Sequence, residues 1–116
     1  MKIINQDISR YIDDSELLNI KMPISLGVKI SKNIRTLNNL YFDFVNEVRL
    51  LEKKYGMLVT NLDPEDINFF DLSIAYHDLC YREIEIDLLE ITIDELESLE
   101  LNYKNIDSLS IMISEQ

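Results

Sequence analysis

The most constraining feature of the sequence is a run of eight apolar residues separated by alternating steps of four and three. They are Ile30, Ile34, Leu37, Tyr41, Phe44, Val48, Leu51 and Tyr55. This spacing keeps one seam of an α-helix facing a partner, as in coiled coils and helical bundles. It predicts one helix from about Ser25 to Tyr55, roughly 45 Å long at about 1.5 Å per residue. Lys53 and Lys54 before Gly56 indicate a capped carboxyl end.

Two further apolar residues of this helix, Phe42 and Leu50, lie away from the seam. The apolar surface therefore extends further than a two-helix coiled coil needs. Because exposed patches of this kind are rarely left bare, we expect Phe42 and Leu50 to contact a further partner. That partner is expected in a homo-oligomer or in a complex with another protein.

The composition argues against most small enzymes. The chain has 116 residues, of which 47% are hydrophobic and 28% charged, so it is able to bury a core. It contains only two glycines, one cysteine and one histidine. A P-loop or a dinucleotide-binding turn needs clustered glycines, and a structural zinc site needs four Cys or His ligands. We therefore expect a non-enzymatic protein with no catalytic residues, no metal and no cofactor.

His77 and Cys80 lie three residues apart on a predicted helix. A catalytic thiol also needs an orienting group and an oxyanion site, and zinc needs further ligands. We expect a partly buried Cys80 and a surface or capping His77, both dispensable for activity. A single cysteine forms no internal disulfide, which fits a reducing cytoplasm.

Asp7 and Arg10 interrupt the amino-terminal segment, where a secretory signal needs an unbroken apolar stretch. No window approaches the roughly 18 apolar residues of a membrane span. We expect a cytoplasmic protein with no signal peptide and no membrane role.

The charge of the chain is strongly uneven. It has 22 acidic and 11 basic residues, a net charge of −11. Residues 1–56 carry a net charge of +2, and residues 57–116 carry −13. We expect a single domain, 1–116, whose first part is helical and near-neutral and whose second part is acidic α+β. This balance disfavours direct nucleic-acid binding and favours a basic protein partner.

Weaker patterns predict the elements on either side of the long helix. Apolar residues at helical spacing indicate a first helix from Gln6 to Asn19, and Met57 to Leu62 indicates a short strand. Asp63-Pro64-Glu65-Asp66 predicts the start of a third helix, ending near Tyr81 or Arg82. Its inner stripe is predicted to comprise Ile67, Phe70 and Ile74, and four further apolar residues are predicted to widen it: Phe69, Leu72, Tyr76 and Leu79.

A strict alternation after residue 82 predicts a half-buried strand. Its inward residues are Ile84, Ile86 and Leu88. Its outward residues are Glu83, Glu85 and Asp87, and Glu90 follows. We expect these four carboxylates to bind the partner, with Phe42 and Leu50 as the apolar candidates.

Two capping residues predict short helices near the carboxyl end. Ile91 and Ile93 continue the alternation, Asp94 is the expected cap of one helical turn, and Asn102 caps a last helix. That helix is expected to carry Tyr103, Ile106 and Leu109 on its apolar face. The chain is therefore predicted to have an α+β fold, with a long helix packed with shorter helices and a small acidic β-sheet or hairpin.

The order of these elements resembles a family of small phage proteins of unknown function, from phages of Gram-positive bacteria. The likeness covers most of residues 23–101. Three stretches carry it: Pro23-Ile24-Ser25 to Ser31-Lys32-Asn33-Ile34, Leu51-Glu52-Lys53-Lys54-Tyr55, and Glu83-Ile84-Glu85-Ile86-Asp87 leading to Ile93-Asp94-Glu95-Leu96-Glu97. The resemblance implies a phage accessory protein that helps assembly or acts on the host, and it implies no catalytic residue. The 17 isoleucines and single alanine fit an AT-rich source.

Three functions remain open at this level. The first is an antagonist that binds a host defence or housekeeping protein with the acidic half, and the second is an oligomeric assembly or virion component. The third is a nucleic-acid mimic, because Glu83, Glu85 and Asp87 and the acids that follow them form a dense negative run. Carboxylates at alternate strand positions lie about 6.6 Å apart, and each DNA strand offers a charge about every 3.4 Å, so the match in spacing is partial. A basic patch of Lys29, Lys32 and Arg35 is expected to meet acids of this chain or of a partner.

Overall fold

The computed structural model describes residues 1–12 and 16–113. Within these residues lie β1 (Lys2–Ile4), α1 (Ile8–Ile12), α2 (Ile24–Tyr55), α3 (Phe69–Cys80), β2 (Glu83–Glu85), α4 (Ile93–Leu96) and α5 (Tyr103–Leu109). Short 3-10 turns occupy Asn5–Asp7, Leu17–Asn19 and Ser110–Met112. The coarse prediction is confirmed, because a mostly helical chain contains one long helix, shorter helices and a two-stranded antiparallel sheet.

Helix α2 lies where its apolar spacing predicts and has 32 residues. Pro23 precedes it, and Gly56 ends it with a φ of 68°, the left-handed conformation that glycine adopts without strain. The Gly56 N–H donates to the Glu52 carbonyl oxygen at 2.8 Å. Lys53 and Lys54 in the last turn complement the helix dipole.

The seam of α2 is buried unevenly along its length. Ile30 and Leu37 are 1% and 0% exposed. The seam residues from Tyr41 to Tyr55 are only half-buried. The first half of α2 is therefore enclosed, whereas the second half is covered on one side.

The main core surrounds the first half of α2. Its buried members are Ile3, Ile8, Leu17, Leu26, Ile30, Leu37, Ile86, Ile91, Leu96, Leu109 and Met112. Asn33, which is 1% exposed, connects α2 to the segment after β2. Its side-chain nitrogen donates to the Leu89 carbonyl oxygen at 2.8 Å, and its Oδ1 accepts the Leu89 N–H at 2.7 Å. Both functional groups of this buried amide are thus hydrogen-bonded.

The amino-terminal segment differs from its prediction. The described residues contain only α1 and the 3-10 turn at Leu17–Asn19 where one helix from Gln6 to Asn19 is predicted, and residues 13–15 lie outside the described residues. Strand β1 is not predicted from the sequence at all. It pairs with β2, which is far from it in the sequence. Local periodicity does not reveal pairing between distant segments.

Strands β1 and β2 run antiparallel, with Lys2 opposite Glu85. Strand β2 ends at Glu85 rather than continuing to Asp87. The predicted alternation in exposure nevertheless holds, because Ile84 is half-buried and Ile86 buried while the three acids between and beside them are exposed. The carboxylate face of the strand is therefore outward, as predicted.

Helix α3 begins at Phe69 rather than at Asp63. Oδ1 of Asp63 accepts the Glu65 N–H at 3.0 Å, and Oδ1 of Asp66 accepts the Asn68 N–H at 2.8 Å. Each aspartate closes its own local turn instead of capping a continuous helix. The chain turns twice before α3 begins.

The predicted inner face of α3 is partly wrong, because the stripe itself is exposed whereas two of the four residues predicted to widen it are buried. Ile67, Phe70 and Ile74 are 94%, 73% and 60% exposed. Leu72 and Leu79, at 0% and 2%, are buried instead, where α3 packs against α2. Both sets recur at helical spacing, so periodicity alone does not choose between them.

Thr92, not Asp94, caps α4. Its Oγ1 accepts the Glu95 N–H at 3.2 Å, and Oε1 of Glu95 accepts the Thr92 N–H at 3.1 Å, which completes a capping box. Ile91 is buried as predicted. Ile93 is 61% exposed, because the chain turns into a helix there and the strand-like alternation ends.

Asn102 caps α5 as predicted, with its Oδ1 accepting the Asn105 N–H at 2.8 Å. The predicted apolar face of α5 is only partly right. Leu109 is buried, but Tyr103 and Ile106 are 94% and 49% exposed. The buried face of α5 includes Asn105, a polar residue that apolar patterning does not count.

The molecule is elongated, with extents of 56 × 24 × 19 Å. We call the described residues of 1–41 and 83–113 the core end. We call residues 42–80 the helical hairpin, since α2 and α3 pack together there. Residues 57–62, predicted as a strand, form an irregular loop in it.

The helical hairpin has its own buried residues outside the main core: Met57, Leu72, Leu79 and Cys80. Nδ2 of Asn68 donates to the Tyr55 carbonyl oxygen at 3.2 Å, which joins the start of α3 to the end of α2. At the other end of α3, Nδ2 of Asn5 donates to the Leu79 carbonyl oxygen at 2.9 Å. These bonds fix α3 between the loop and the core end.

Candidate functional site

The two strand carboxylates that were predicted to bind a partner contact the cations of Met1 and Lys2. Oε1 of Glu85 lies 3.2 Å from the amino-terminal nitrogen of Met1, and Oε2 of Glu83 lies 3.9 Å from Nζ of Lys2. All four groups are more than half exposed, so these ion pairs contribute little stability. The strand face is nevertheless less negative than the sequence of β2 alone indicates.

The other two predicted acids lie beyond the strand. Asp87 is exposed after the end of β2. Glu90 lines a groove of about 360 Å³ with Met1, Leu88 and residues 110–113. The carboxylates are therefore distributed around the sheet and the carboxyl-terminal segment rather than aligned in one row.

Phe42 and Leu50 are 62% and 66% exposed on the second half of α2. Leu50 lines a groove of about 400 Å³ between α2 and α3, beside Ala75 and Arg82. The two apolar candidates thus belong to the helical hairpin, whereas the predicted acids surround the sheet. The structure does not bring the two sets together on one element.

The largest apolar surface that the sequence analysis assigned to the core is the outward face of α3. Phe70, Ile74 and Tyr81 are 73%, 60% and 52% exposed there, directly after the 94% exposed Ile67. The available signal was that the four residues predicted to widen the inner stripe form an apolar stripe of their own: Phe69, Leu72, Tyr76 and Leu79. A single neighbouring helix covers only one apolar stripe, so a helix with two stripes leaves the other one exposed.

Acidic residues border this outward face. Asp71 and Asp78 are exposed and lie seven residues apart, which places them on the same side of α3. Nδ1 of His77 is 3.9 Å from Oδ1 of Asp78, with both side chains exposed. The guanidinium of Arg82 contacts Glu47 instead, with Nη1 at 3.1 Å from Oε2.

His77 and Cys80 both line one groove beside α3 but differ in exposure. The His77 ring is exposed and lies 4.6 Å from the Tyr81 ring, while Cys80 is 6% exposed. A hydrogen bond with the Cys80 side chain, followed by partial burial, raises the pKa of the Tyr76 hydroxyl. The observed positions agree with the expectation of a buried cysteine and a surface histidine.

A groove of about 570 Å³ lies beside α3, between α2 and the amino-terminal segment. Aromatic side chains dominate its lining, including Tyr41, Tyr76, His77 and Tyr81. Ser73 also lines it, and its Oγ is buried without a hydrogen-bond partner among the described residues. The groove therefore offers apolar walls and one unsatisfied hydroxyl.

The basic patch at the start of α2 is partly used within the chain. Nζ of Lys29 lies 3.3 Å from Oε1 of Glu95. The Thr92 backbone N–H, followed by Lys29, lowers the pKa of Glu95 below its ordinary value. Lys32 and Arg35 remain exposed.

A second ion pair joins α1 and α5 at the core end. Nε of Arg10 donates to Oδ2 of Asp107 at 3.0 Å, and a second guanidinium nitrogen donates to Oδ1. The Arg10 hydrogen bonds lower the pKa of Asp107. The same contact raises the pKa of Arg10.

Within residues 1–12 and 16–113, no group of three or more His, Cys, Asp or Glu side chains is arranged to hold a metal ion. Among the described helices, none combines the length and the apolar character that crossing a membrane requires. Comparison with protein-family models, with curated proteins and with solved structures finds no match to this chain.

Proposed function

We propose that the chain is a non-enzymatic phage accessory protein that acts by binding another protein. Its partner is a basic host defence protein, which it antagonises, and residues 57–116 supply the contact surface. The resemblance to small phage proteins supports the phage context. The acidic half and its exposed apolar side chains support the mode of action.

The observation that carries the proposal is the uncompensated charge of residues 57–116, which have a net −13. The described ion pairs join only some of these acids to cations of the chain, as at Glu95 and Asp107. Exposed acids such as Asp71, Asp87 and Glu97 have no ion pair among the described residues. Because like charges repel, a surface of this kind is better explained by a cationic partner than by the stability of the fold.

The test is capture of partners from host cells by the tagged chain, with and without infection. We expect a basic host protein in both samples, with association that slows steeply as salt rises past about 0.15 M. Changing Glu83, Glu85 and Asp87 to Gln, Gln and Asn should slow association and leave the fold intact.

The matched control changes Asp7 and Asp43 to Asn, which removes charge from the near-neutral half. For each carboxylate removed, this control variant should slow association less than the triple change of Glu83, Glu85 and Asp87 does. Capture of virion proteins alone, or binding that is insensitive to both salt and the triple change, would contradict the proposal.

A second candidate is an oligomeric assembly or virion component, because Phe42 and Leu50 are 62% and 66% exposed on α2. This function requires the chain to self-associate. Light scattering at tens of micromolar distinguishes the two candidates, because the antagonist is expected to be monomeric alone. A stable oligomer that Phe42→Gln with Leu50→Gln disrupts would favour assembly.

Nucleic-acid mimicry has no such support, since β2 contributes only Glu83 and Glu85 and both contact cations.

A further inference from the structure

The outward face of α3 has the spacing of a helix-binding seam. Ile67, Phe70, Ile74, His77 and Tyr81 follow one another by steps of three, four, three and four. This spacing places the residues of α3 in one stripe, opposite the buried Leu72 and Leu79 side. All five are exposed, with Ile67, Phe70, Ile74 and Tyr81 between 52% and 94%. We call these five residues the outer seam.

The outer seam is long enough for one helix of a partner. Helix α3 has 12 residues, which correspond to about three helical turns or roughly 18 Å, and Ile67 and Tyr81 flank it. An amphipathic helix binds to a groove or to another helix through apolar side chains at this spacing. Since exposed apolar patches of this extent mark interaction sites, the outer seam is a docking surface.

The charges beside the outer seam specify the partner. Asp71 and Asp78 occupy equivalent positions one heptad apart, so both border the same side of the seam. On the other side, Ser73 and Cys80 carry no charge. Arg82, which follows α3, contacts Glu47 and does not neutralise the two aspartates. A partner helix with Lys or Arg along one side of its apolar stripe would compensate them.

A second copy of this chain fits poorly. In an antiparallel pair of α3 helices, like positions face each other, so Asp71 of one copy would lie opposite Asp78 of the other. In a parallel pair, the aspartates would lie opposite the uncharged Ser73 and Cys80 side. Neither arrangement provides a cation.

We propose that the outer seam of α3 docks a basic amphipathic helix of the partner protein. This assignment rests on the proposed function, since it places the protein contact of the acidic half on α3. One bulky apolar side chain of that helix enters the adjacent groove of about 570 Å³, which His77 and Tyr81 border together with Tyr41 and Tyr76.

The experiment uses two synthetic peptides of about 18 residues composed of Leu and Lys. The seam peptide has Leu at alternating three- and four-residue steps, and the scrambled peptide has the same composition without that spacing. Both carry the same charge, so nonspecific attraction to an acidic protein affects them equally. We expect the full chain to bind the seam peptide about tenfold or more tightly at about 0.15 M salt.

Two variants locate the contact. Phe70→Gln with Ile74→Gln should abolish the preference for the seam peptide, and the exposure of both residues allows the fold to remain intact. Asp71→Asn with Asp78→Asn should weaken seam-peptide binding several-fold and reduce its dependence on salt. Circular dichroism and thermal unfolding confirm that each variant is folded.

The matched control changes exposed apolar residues elsewhere, Tyr103→Gln with Ile106→Gln on α5. The control should keep the preference for the seam peptide. Amide chemical-shift changes on peptide binding should concentrate in residues 67–82. Equal binding of the two peptides, or equal loss in the control variant, overturns the assignment. A wild-type dimer in sedimentation that Phe70→Gln with Ile74→Gln dissociates also overturns it, in favour of a second copy.

Capture from host cells separates this assignment from the proposed function. A basic host protein that binds Phe70→Gln with Ile74→Gln as tightly as wild type would overturn the docking site and leave the proposed function standing. A seam-peptide preference without any captured host protein would overturn the proposed function and leave the docking site standing.

Discussion

The core end and the helical hairpin share one helix but differ in how they bury it. At the core end, Ile30 and Leu37 of α2 are 1% and 0% exposed, enclosed by the amino-terminal segment and by residues after β2. In the helical hairpin, α2 has α3 as its main neighbour, and its seam is half-buried. The same repeat of apolar residues thus forms a core or a partly open face, depending on how many elements cover it.

The polar groups of the two regions differ in the same way. The core end holds Asn33 with both of its amide groups hydrogen-bonded to Leu89, and it holds the Arg10–Asp107 ion pair. The helical hairpin holds the Ser73 hydroxyl, which is buried without a hydrogen-bond partner among the described residues. The buried polar groups of the core end are therefore more completely hydrogen-bonded than those of the helical hairpin.

The largest expected contrast compares two isoleucines. Ile30→Ala removes a fully buried side chain and should lower the free energy of unfolding by about 2–5 kcal/mol. Ile74→Ala, at a position that is 60% exposed, should change it by no more than about 0.5 kcal/mol. Urea unfolding of both variants checks the contrast. Equal losses would mean that the outward face of α3 is buried in solution by self-association.

The second prediction concerns the polar link within the core end. Asn33→Ala leaves the Leu89 N–H and carbonyl oxygen without their partner, so we expect a loss of about 2–3 kcal/mol. Asn38→Ala, at an exposed position of the same helix, is the control and should change the free energy of unfolding by less than about 0.5 kcal/mol. A loss no greater than that of the control would show that water replaces the Asn33 side chain as the hydrogen-bond partner of the Leu89 backbone.

The third prediction tests how α2 ends in the helical hairpin. A Cβ at Gly56 meets no atom within 4 Å, so Gly56→Ala introduces only the strain of a positive φ. We expect a loss of about 1 kcal/mol, measured by urea unfolding. Gly56→Asn should lose less, because asparagine tolerates the left-handed conformation better. A greater loss in the asparagine variant would contradict the backbone explanation.

The smallest expected effect is a dependence on pH at the core end. Because Arg10 lowers the pKa of Asp107 in the folded chain, the ion pair stabilises the fold above the unfolded pKa of about 3.9 and is lost as pH falls through the lower folded value. Asp107→Asn should therefore reduce stability slightly at neutral pH and flatten its decline below about pH 4. Asp71→Asn is the control, since Asp71 has no described ion pair. An unchanged acid profile in Asp107→Asn would contradict this role of the pair.

The candidate site was predicted only in part. Phe42 and Leu50 are outward because their positions around α2 follow from helical geometry alone. The outward carboxylates of β2 follow from strand alternation in the same way. The contacts of Glu83 and Glu85 with the cations of Lys2 and Met1 could not be predicted, because the pairing of β1 with β2 joins residues that are far apart in the sequence.

The sequence by itself determined the features that depend on near neighbours. Alternating spacing and Gly56 defined the span of α2, Asn102 defined the start of α5, and the acids after Gly56 defined the charge asymmetry. The spacing along α2, its end at Gly56 and the start of α5 depend on residues within about one or two helical turns of one another, and the charge asymmetry depends on composition alone. Such interactions are present in any conformation that places those residues in the same element.

Only the tertiary structure decided which apolar face of α3 is buried and where α3 begins. The helix has two stripes of similar hydrophobicity, and the side that packs is set by contacts with α2 and by the Asn5 bond to Leu79. Its start depends on whether Asp63 and Asp66 cap a helix or close local turns, which have similar local energies. Whether a side chain is buried depends on the residues that pack against it. The exposed outer seam of α3 could therefore be identified only from the tertiary structure, in which the opposite stripe packs against α2.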